Sequence, residues 1–352
     1  MVNDSRTSPA VETSGDSAER MLALVGHRHR AADHYVVGRE KIREYARAVQ
    51  DYHPVHWSED AGAEFGYGGL IAPPTFFSVP GFLAQSEMFT TLLTDYDMSQ
   101  IMQTDQVLEF HRPIRPMDRL VFDIYLESFR RAFGGDLMGF KMVVSDHHSE
   151  PVLTARTSIV GRSGVSTGDT ELGRRIVMHS FRTPDRPHRP AAAAVTGPAT
   201  DLAAPTLAPP SGFARLFDTV AVGEELPART VQLTAGDLVN YAGVAGDPNP
   251  IHWSREAAGS VELESPVAHG MLTMGIGAGY VTSWLGDPGA VREYAVRLTS
   301  PVHVPPGEPA VIEYTGKVKA LDPVQRTATI ALTALHRGRK IFGRATALVQ
   351  LS

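Results

Sequence analysis

No cysteine occurs in the 352-residue chain. Disulfides, thiol nucleophiles and cysteine-ligated zinc are therefore excluded, and a reducing compartment is compatible with the sequence. Neither sign of charge dominates: 33 lysines and arginines stand against 39 aspartates and glutamates, a formal net charge of −6. The basic stripe that would draw in nucleic acid is missing. No segment reaches the ~18 consecutive apolar residues of a membrane span, and the N-terminal residues lack the apolar run of a secretory signal. These absences lead to the expectation of a cytoplasmic protein. Tryptophan is scarce as well, with three in the chain. Two of them reveal the organisation.

Trp57 and Trp253 lie in two copies of one segment. Residues 45–58 read YARAVQDYHPVHWS and residues 241–254 read YAGVAGDPNPIHWS. Without a gap, seven of the fourteen positions coincide, among them Tyr45/Tyr241, Asp51/Asp247, Pro54/Pro250 and His56/His252. The 196-residue spacing persists downstream, setting Ala72 on Ala268, Pro74 on Gly270 and Phe76 on Leu272. A period this long is a duplicated domain, not a solenoid.

The stretch between the copies differs in composition. Residues 185–212 are rich in proline, alanine and glycine without a periodic apolar face, which is the composition of a linker. The expected division is a disordered tail over 1–20, a first domain over 21–162, a linker over 163–212 and a second domain over 213–352. Each half predicts a short strand, a helix, a loop carrying Asp and His, a long apolar helix, and then successive strands. In the second half RTVQL (229–233) precedes Thr234 as N-cap with Asp237 three residues on, a capping-box variant. The long helix is expected over 270–284, and over about 75–90 in the first half, where Ala72-Pro73-Pro74 and Pro80-Gly81 would displace or break it. Strands that follow one another without helices between them predict an antiparallel sheet, so the fold class is α+β, with the halves side by side as a pseudo-dimer.

The duplicated loop carries the chemistry. Asp247 and His252 flank Pro248 and Pro250, which restrict the backbone, so a carboxylate and an imidazole can be aimed at one small volume. An imidazole gives or takes a proton near neutral pH. The run Gly246-Asp247-Pro248-Asn249-Pro250-Ile251-His252, followed by Ala268-His269-Gly270-Met271-Leu272, resembles the signature of the MaoC-like, R-specific enoyl-thioester hydratases. The paired arrangement, one copy intact and one degenerate, resembles the two-subunit (3R)-hydroxyacyl-carrier-protein dehydratases of actinobacterial fatty acid synthesis, fused into one chain.

That resemblance implies a double hot-dog fold, with a long central helix wrapped by antiparallel sheet in each half. It implies addition or removal of water across C2–C3 of an acyl thioester, carried by CoA or by acyl carrier protein, in fatty acid metabolism. Asp247 and His252 would act on the water, with Asn249 and Tyr241 in support. If Gly270 opens the long helix, its N–H is free at the positive end of the helix dipole and can hold the thioester oxygen; the alternative is a glycine needed for close packing. Neither a metal site nor a cofactor is expected, and the fused pseudo-dimer could pair again as a homodimer. A non-catalytic acyl-binding module and a hot-dog thioesterase are the competing readings.

The first copy keeps Asp51 and His56 but has Pro74 at the Gly270 position, and proline has no N–H to donate. His53 replaces Asn249 and Gln50 replaces Gly246. The first half is therefore read as a degenerate second site that binds substrate, its acyl channel lined from Phe76, Phe77 and Phe82, which would equally well fill a core. Arg112, Arg115, Arg130 and Arg131 could meet phosphates or lie on an ordinary solvated surface.

Overall fold

Thr234 opens the first helix of the second half as its sequence predicts. Its hydroxyl accepts from the Asp237 N–H while the Asp237 carboxylate accepts from the Thr234 N–H, which satisfies donors that a helix start otherwise leaves unpaired. Gly246 closes the helix in the left-handed conformation, φ 80°. In the first half Gln50 takes that place at φ 52°, a conformation costly for a side-chain-bearing residue. Two hydrogen bonds from the other half hold it: Gln50 Nε2 donates to the Gln232 carbonyl and Arg229 Nη2 donates to the Gln50 carbonyl, both at 3.0 Å.

The computed structural model describes residues 14–96, 101–132, 135–163, 172, 194–195 and 212–352. The first half contains α1 (Ser14–Leu24), β1 (Arg28–Arg30), β2 (Tyr35–Val36), α2 (Arg39–Ala48), α3 (Glu59–Glu64), α4 (Ser78–Thr91), β3 (Met102–Phe110), β4 (Arg119–Ala132), β5 (Gly135–Ser145) and β6 (Pro151–Gly161). After β7 (Ala194–Val195), the second half contains β8 (Glu225–Leu233), α5 (Ala235–Ala245), α6 (Arg255–Ser260), α7 (Gly270–Leu285), β9 (Val291–Leu298), β10 (Ala310–Asp322), β11 (Thr327–His336), β12 (Arg339–Lys340) and β13 (Phe342–Gln350).

All main strands join one antiparallel sheet in the order β7-β1-β4-β5-β6-β3-β9-β13-β11-β10-β8. The order mirrors itself about the β3–β9 seam, where Val107 stands opposite Ala295 and Arg297 Nε meets Asp105 Oδ1 at 2.8 Å. Two curved half-sheets thus run into each other, and each wraps one long helix, α4 or α7. This is the double hot-dog architecture, and one continuous apolar core links the halves. No helix among the described residues is long and apolar enough to cross a membrane.

Glycine lets α7 sit where it does. A Cβ on Gly277 would stand 2.6 Å from the Tyr294 hydroxyl on its own sheet, whereas one on Gly275 would stand 2.6 Å from Val49 Cγ1 of the first half. A Cβ on Gly279 would lie 3.2 Å from the Asp51 carboxylate. Tyr45 and Tyr241, equivalent in the repeat, meet at the centre with ring centroids 6.1 Å apart. Ser78 Oγ donates to the Tyr45 hydroxyl at 3.0 Å and lies 3.3 Å from the Tyr241 hydroxyl.

The structure corrects several expectations. The tail expected to be disordered through residue 20 carries α1 from Ser14, because Met21 inserts into the core; residues 1–13 lie outside the described residues. Within the stretch read as linker, β7 pairs with β1, Val195 opposite Arg28; most of that stretch also lies outside the described residues. The break expected at Pro80-Gly81 does not occur, since α4 runs unbroken from Ser78. Pro80 falls in its first turn, where a missing N–H costs no intrahelical bond. The interruption at Pro73-Pro74 is real and takes the form of a 3-10 turn, Pro74–Phe77, where α7 is already α-helical.

Substituting Gly275 with leucine tests the close approach of α7 to Val49. Overpacking costs about 1–3 kcal/mol, more than the ~1 kcal/mol of helix propensity that removing a glycine returns. A loss of stability on that order in denaturant unfolding is expected. An unchanged or raised midpoint would show that the contact is loose.

Candidate active site

Asp247 follows directly on the left-handed Gly246 and begins two nested turns. Its Oδ1 accepts from the Asn249 N–H at 3.1 Å, and Asn249 Oδ1 accepts from the Ile251 N–H at 3.2 Å, capping a 3-10 turn over Pro250–His252. Trp253 Nε1 closes the loop on the Pro248 carbonyl at 3.1 Å. The turns bring Asp247 Oδ2 to 4.0 Å from His252 Nε2. His252 Nδ1 lies 2.7 Å from the Val267 carbonyl oxygen. A carbonyl only accepts, so Nδ1 carries the hydrogen and Nε2 turns a lone pair toward the aspartate. Burial holds the His252 pKa below 6.5 despite the opposing pull of the Asp247 carboxylate and the Val267 carbonyl. The neutral, basic form of the ring is therefore favoured near neutral pH.

The same loop in the first half is closed. His56 Nδ1 meets the Ile71 carbonyl at 2.7 Å, and His56 Nε2 approaches Asp51 Oδ2 to 3.4 Å. The His56 and Asp51 side chains are 0% and 3% exposed, against 11% and 26% for His252 and Asp247. Burial raises the Asp51 pKa, but His56 and the His53 backbone N–H outweigh it and leave the carboxyl below its usual 3.8. His53 serves as the cap that Asn249 provides in the other copy, its Nδ1 accepting from the Val55 N–H while Nε2 donates to the Gly286 carbonyl of the second half at 3.2 Å. Gly279 of α7 lies directly over the carboxylate. On α4 the matching position is Leu83, which is 53% exposed.

Gly270 is the first residue of α7, with His269 as N-cap, so its N–H has no intrahelical acceptor and points from the positive helix end. A Cβ there would stand 2.5 Å from Leu298 Cδ1 and 3.7 Å from Gln103 Oε1. Both readings of this glycine therefore hold together: it permits close packing against β9 and it offers a backbone donor. In the first half Pro74 instead lines a small pocket with Ile71, Phe110, Arg112, Pro288 and Val291.

Two residues to which the sequence reading assigned no role lie against this loop and the start of α7. Gln103, from the first half, reaches the α7 start, its amide nitrogen donating to Gln106 Oε1 at 2.7 Å. Only the β3–β9 register reveals it. His269 stacks on His252, with centroids 3.6 Å apart and planes at 23°, and its ring is 2% exposed. Its signal was in the repeat alignment, where Pro73 faces it.

Other assignments change. Asn249 is nine-tenths buried and uses its amide oxygen to cap the loop. Tyr241 supports the site from behind, its ring 4.8 Å from His269 and its hydroxyl in the central chain with Ser78. Phe76 and Phe77 lie in the apolar core, and Phe77 packs against Gly81. Phe82 is partly exposed, and none of the three lines the pocket at Pro74. Arg112 is bound to Asp118 and Asp146, and Arg131 to Asp136, so neither is idle for a phosphate.

Asp247, His252 and His269 place one ligand atom each within 4.8 Å of one another, a set able in principle to hold a metal where the sequence reading expected none. The fit is poor. Zinc draws its donors to about 2.0–2.1 Å, which sets them about 3.4 Å apart, whereas His252 Nε2 and Asp247 Oδ2 stand 4.0 Å apart.

Comparison with known proteins agrees with this geometry. Residues 23–155 match the FAS1-like dehydratase domain region, and residues 218–334 match the MaoC like domain. A UPF0336 protein of Mycobacterium tuberculosis strain H37Rv is 39% identical over 44% of this chain and 92% of its own length. Another, from Mycobacterium leprae, is 44% identical over 40% of this chain and 89% of its own length. A solved structure described as a MaoC-like dehydratase is 44% identical, covers 94% of this chain and all of its own, and superposes with a TM-score of 0.85. A double-hotdog protein of M. tuberculosis shares the fold at 15% identity and a TM-score of 0.60, covering 94% of this chain and 98% of its own. The fold and loop define a tandem hot-dog protein. The chain belongs to the MaoC-like dehydratase family.

The depressed histidine values fix the sign of a pH effect. The pKa values of His53, His252 and His269 all lie below the ordinary 6.5, with burial the leading cause in each. Their neutral forms stabilise the fold fully above that value, and the contribution is lost as pH falls through the depressed values. Asp51 adds to the same trend below 3.8. The thermal midpoint should therefore fall as pH is lowered from 7.5 to 5; a constant midpoint over that range would contradict the burial of these neutral rings.

Proposed function

We propose that the chain is a (3R)-hydroxyacyl thioester dehydratase, equivalently an R-specific enoyl thioester hydratase, that works at Asp247 and His252 in its second half. Family membership supports hydro-lyase chemistry in general. The observation that carries the finer reading is the asymmetry between the halves. The second half joins an open acid–base pair to a helix-terminal N–H, while the first half has a sealed pair and a proline.

In the hydration direction, a water held between Asp247 Oδ2 and His252 Nε2 loses a proton to the imidazole as its oxygen bonds to C3. The C2=C3 electron pair shifts toward the thioester carbonyl, whose oxygen takes up negative charge beside the Gly270 N–H. One donor of this kind is typically worth about 10²–10³ in rate. The imidazolium returns the proton to C2, completing addition of one water. Asp247 holds the water's second hydrogen and steadies the imidazolium. Dehydration runs the same steps in reverse. The substrate is a CoA or acyl-carrier-protein thioester, and the first half borders the site through Gln103 beside the start of α7.

Hydration of a trans-2-enoyl-CoA, followed by loss of ultraviolet absorbance, tests the assignment. Asp247→Asn and His252→Ala should each lower kcat by about 10²–10⁴ while the protein stays folded. Asp51→Asn should retain most of the kcat measured per folded molecule. Near-wild-type rates in the first two variants, or release of free CoA without a hydroxyacyl product, would refute the proposal.

A further inference from the structure

The His269 side chain is 2% exposed, and the Asp247 backbone carbonyl draws on one of its ring nitrogens, though neither nitrogen makes a close, well-aligned hydrogen bond among the described residues. One carbonyl can satisfy only one ring nitrogen, and a buried polar atom left unpaired is costly, so a native site that keeps the other nitrogen buried has a use for it. One of these nitrogens lies within 4.8 Å of both an Asp247 carboxylate oxygen and a His252 ring nitrogen. Three atoms each about 2.8 Å from one water oxygen, in roughly tetrahedral directions, stand about 4.6 Å apart. Around a zinc ion they would stand about 3.4 Å apart. The 4.0 Å between His252 Nε2 and Asp247 Oδ2 is already too wide for a metal cradle and suits a bridging water.

The first half provides an internal control. It keeps the aspartate and the histidine but has Pro73 in the register of His269. There the pair closes to 3.4 Å and is sealed from solvent. Where the third imidazole is present, the pair is wider and open.

We propose that His269 is a third catalytic residue, hydrogen-bonding the water or the 3-hydroxyl that Asp247 and His252 act upon. Its buried ring is held well below the ordinary imidazole pKa, so it is neutral, with one nitrogen that donates and one that accepts. It can therefore hold an attacking water in one direction and a departing hydroxyl in the other without itself changing charge. The stack on His252 fixes its orientation. The inference rests on the hydratase reading, and its test is divided so that the two can fail separately.

The wild-type protein and His269→Leu, which keeps apolar bulk but removes both nitrogens, are crystallised and assayed for enoyl-CoA hydration. In the wild type an ordered water is expected within hydrogen-bond distance of a His269 nitrogen and of Asp247 or His252. In His269→Leu, kcat should fall about tenfold to a hundredfold with KM little changed, and His269→Gln should recover part of the loss. A wild-type crystal in which the site water makes no contact with His269 overturns the proposal, and so does a His269→Leu kcat within about twofold of wild type. If the wild type hydrates no enoyl thioester, the hydratase reading falls, and the crystallographic contact alone decides whether His269 helps to hold a water.

Discussion

The approach of α7 to the first half's loop governs much of the rest. Gly275 brings the helix closer to Val49 than a Cβ would allow without a shift, and Gly279 brings it close over Asp51, where a Cβ would stand 3.2 Å from the carboxylate. With α7 in that position, the first acid–base pair is covered, and the start of the same helix is left at the edge of the second half's loop. One helix placement thus covers the Asp51–His56 pair and sets the residue before its own start, His269, against His252. The reciprocal helix, α4, enters through a 3-10 turn imposed by Pro73 and Pro74, and its Leu83 stays largely outside. Two copies of one loop are unequal both in their own residues, His53 for Asn249 and Gln50 for Gly246, and in the helices that face them.

The seam between β3 and β9 makes this inequality useful. Because the half-sheets run into one sheet, a residue of the first half, Gln103, stands beside the start of α7 in the second half. A lone second half would lack that amide, the Ser78 contact to Tyr241 and the first-half surface that flanks α7. The first half is therefore part of the site's construction even though its own pair is sealed. Gln50, held in a left-handed conformation by bonds to Gln232 and Arg229, shows how firmly the halves are tied.

Much of this was legible in the residues. The ungapped repeat disclosed the duplication, the Thr234 and Asp237 pair marked a helix start, and alternation marked most strands. Asp247 and His252 come within 4.0 Å of each other, and Gly270 opens the long helix. What escaped has physical reasons. β3 and β9 carry Gln106, Asp105, Glu293 and Arg297 where apolar alternation would be expected, because the two strands meet polar partners across the seam. Gln103 reaches the site only through sheet register, which no local pattern encodes. His269 was visible as a letter beside Gly270, but its stack on His252 and the burial of its ring are revealed only in three dimensions. Pro80 suggested a break because its place in the first helical turn depends on a boundary the sequence does not fix.

The central claim is that one chain presents one working site, in its second half. Calorimetric titration with a non-reactive enoyl-thioester analogue, on the intact chain and on its Asp247→Asn and Asp51→Asn variants, measures this directly. The account predicts a stoichiometry of one per chain, with affinity or binding enthalpy changed by the Asp247 substitution and not by the Asp51 substitution. Two equivalent sites per chain, or sensitivity to Asp51 alone, would contradict it.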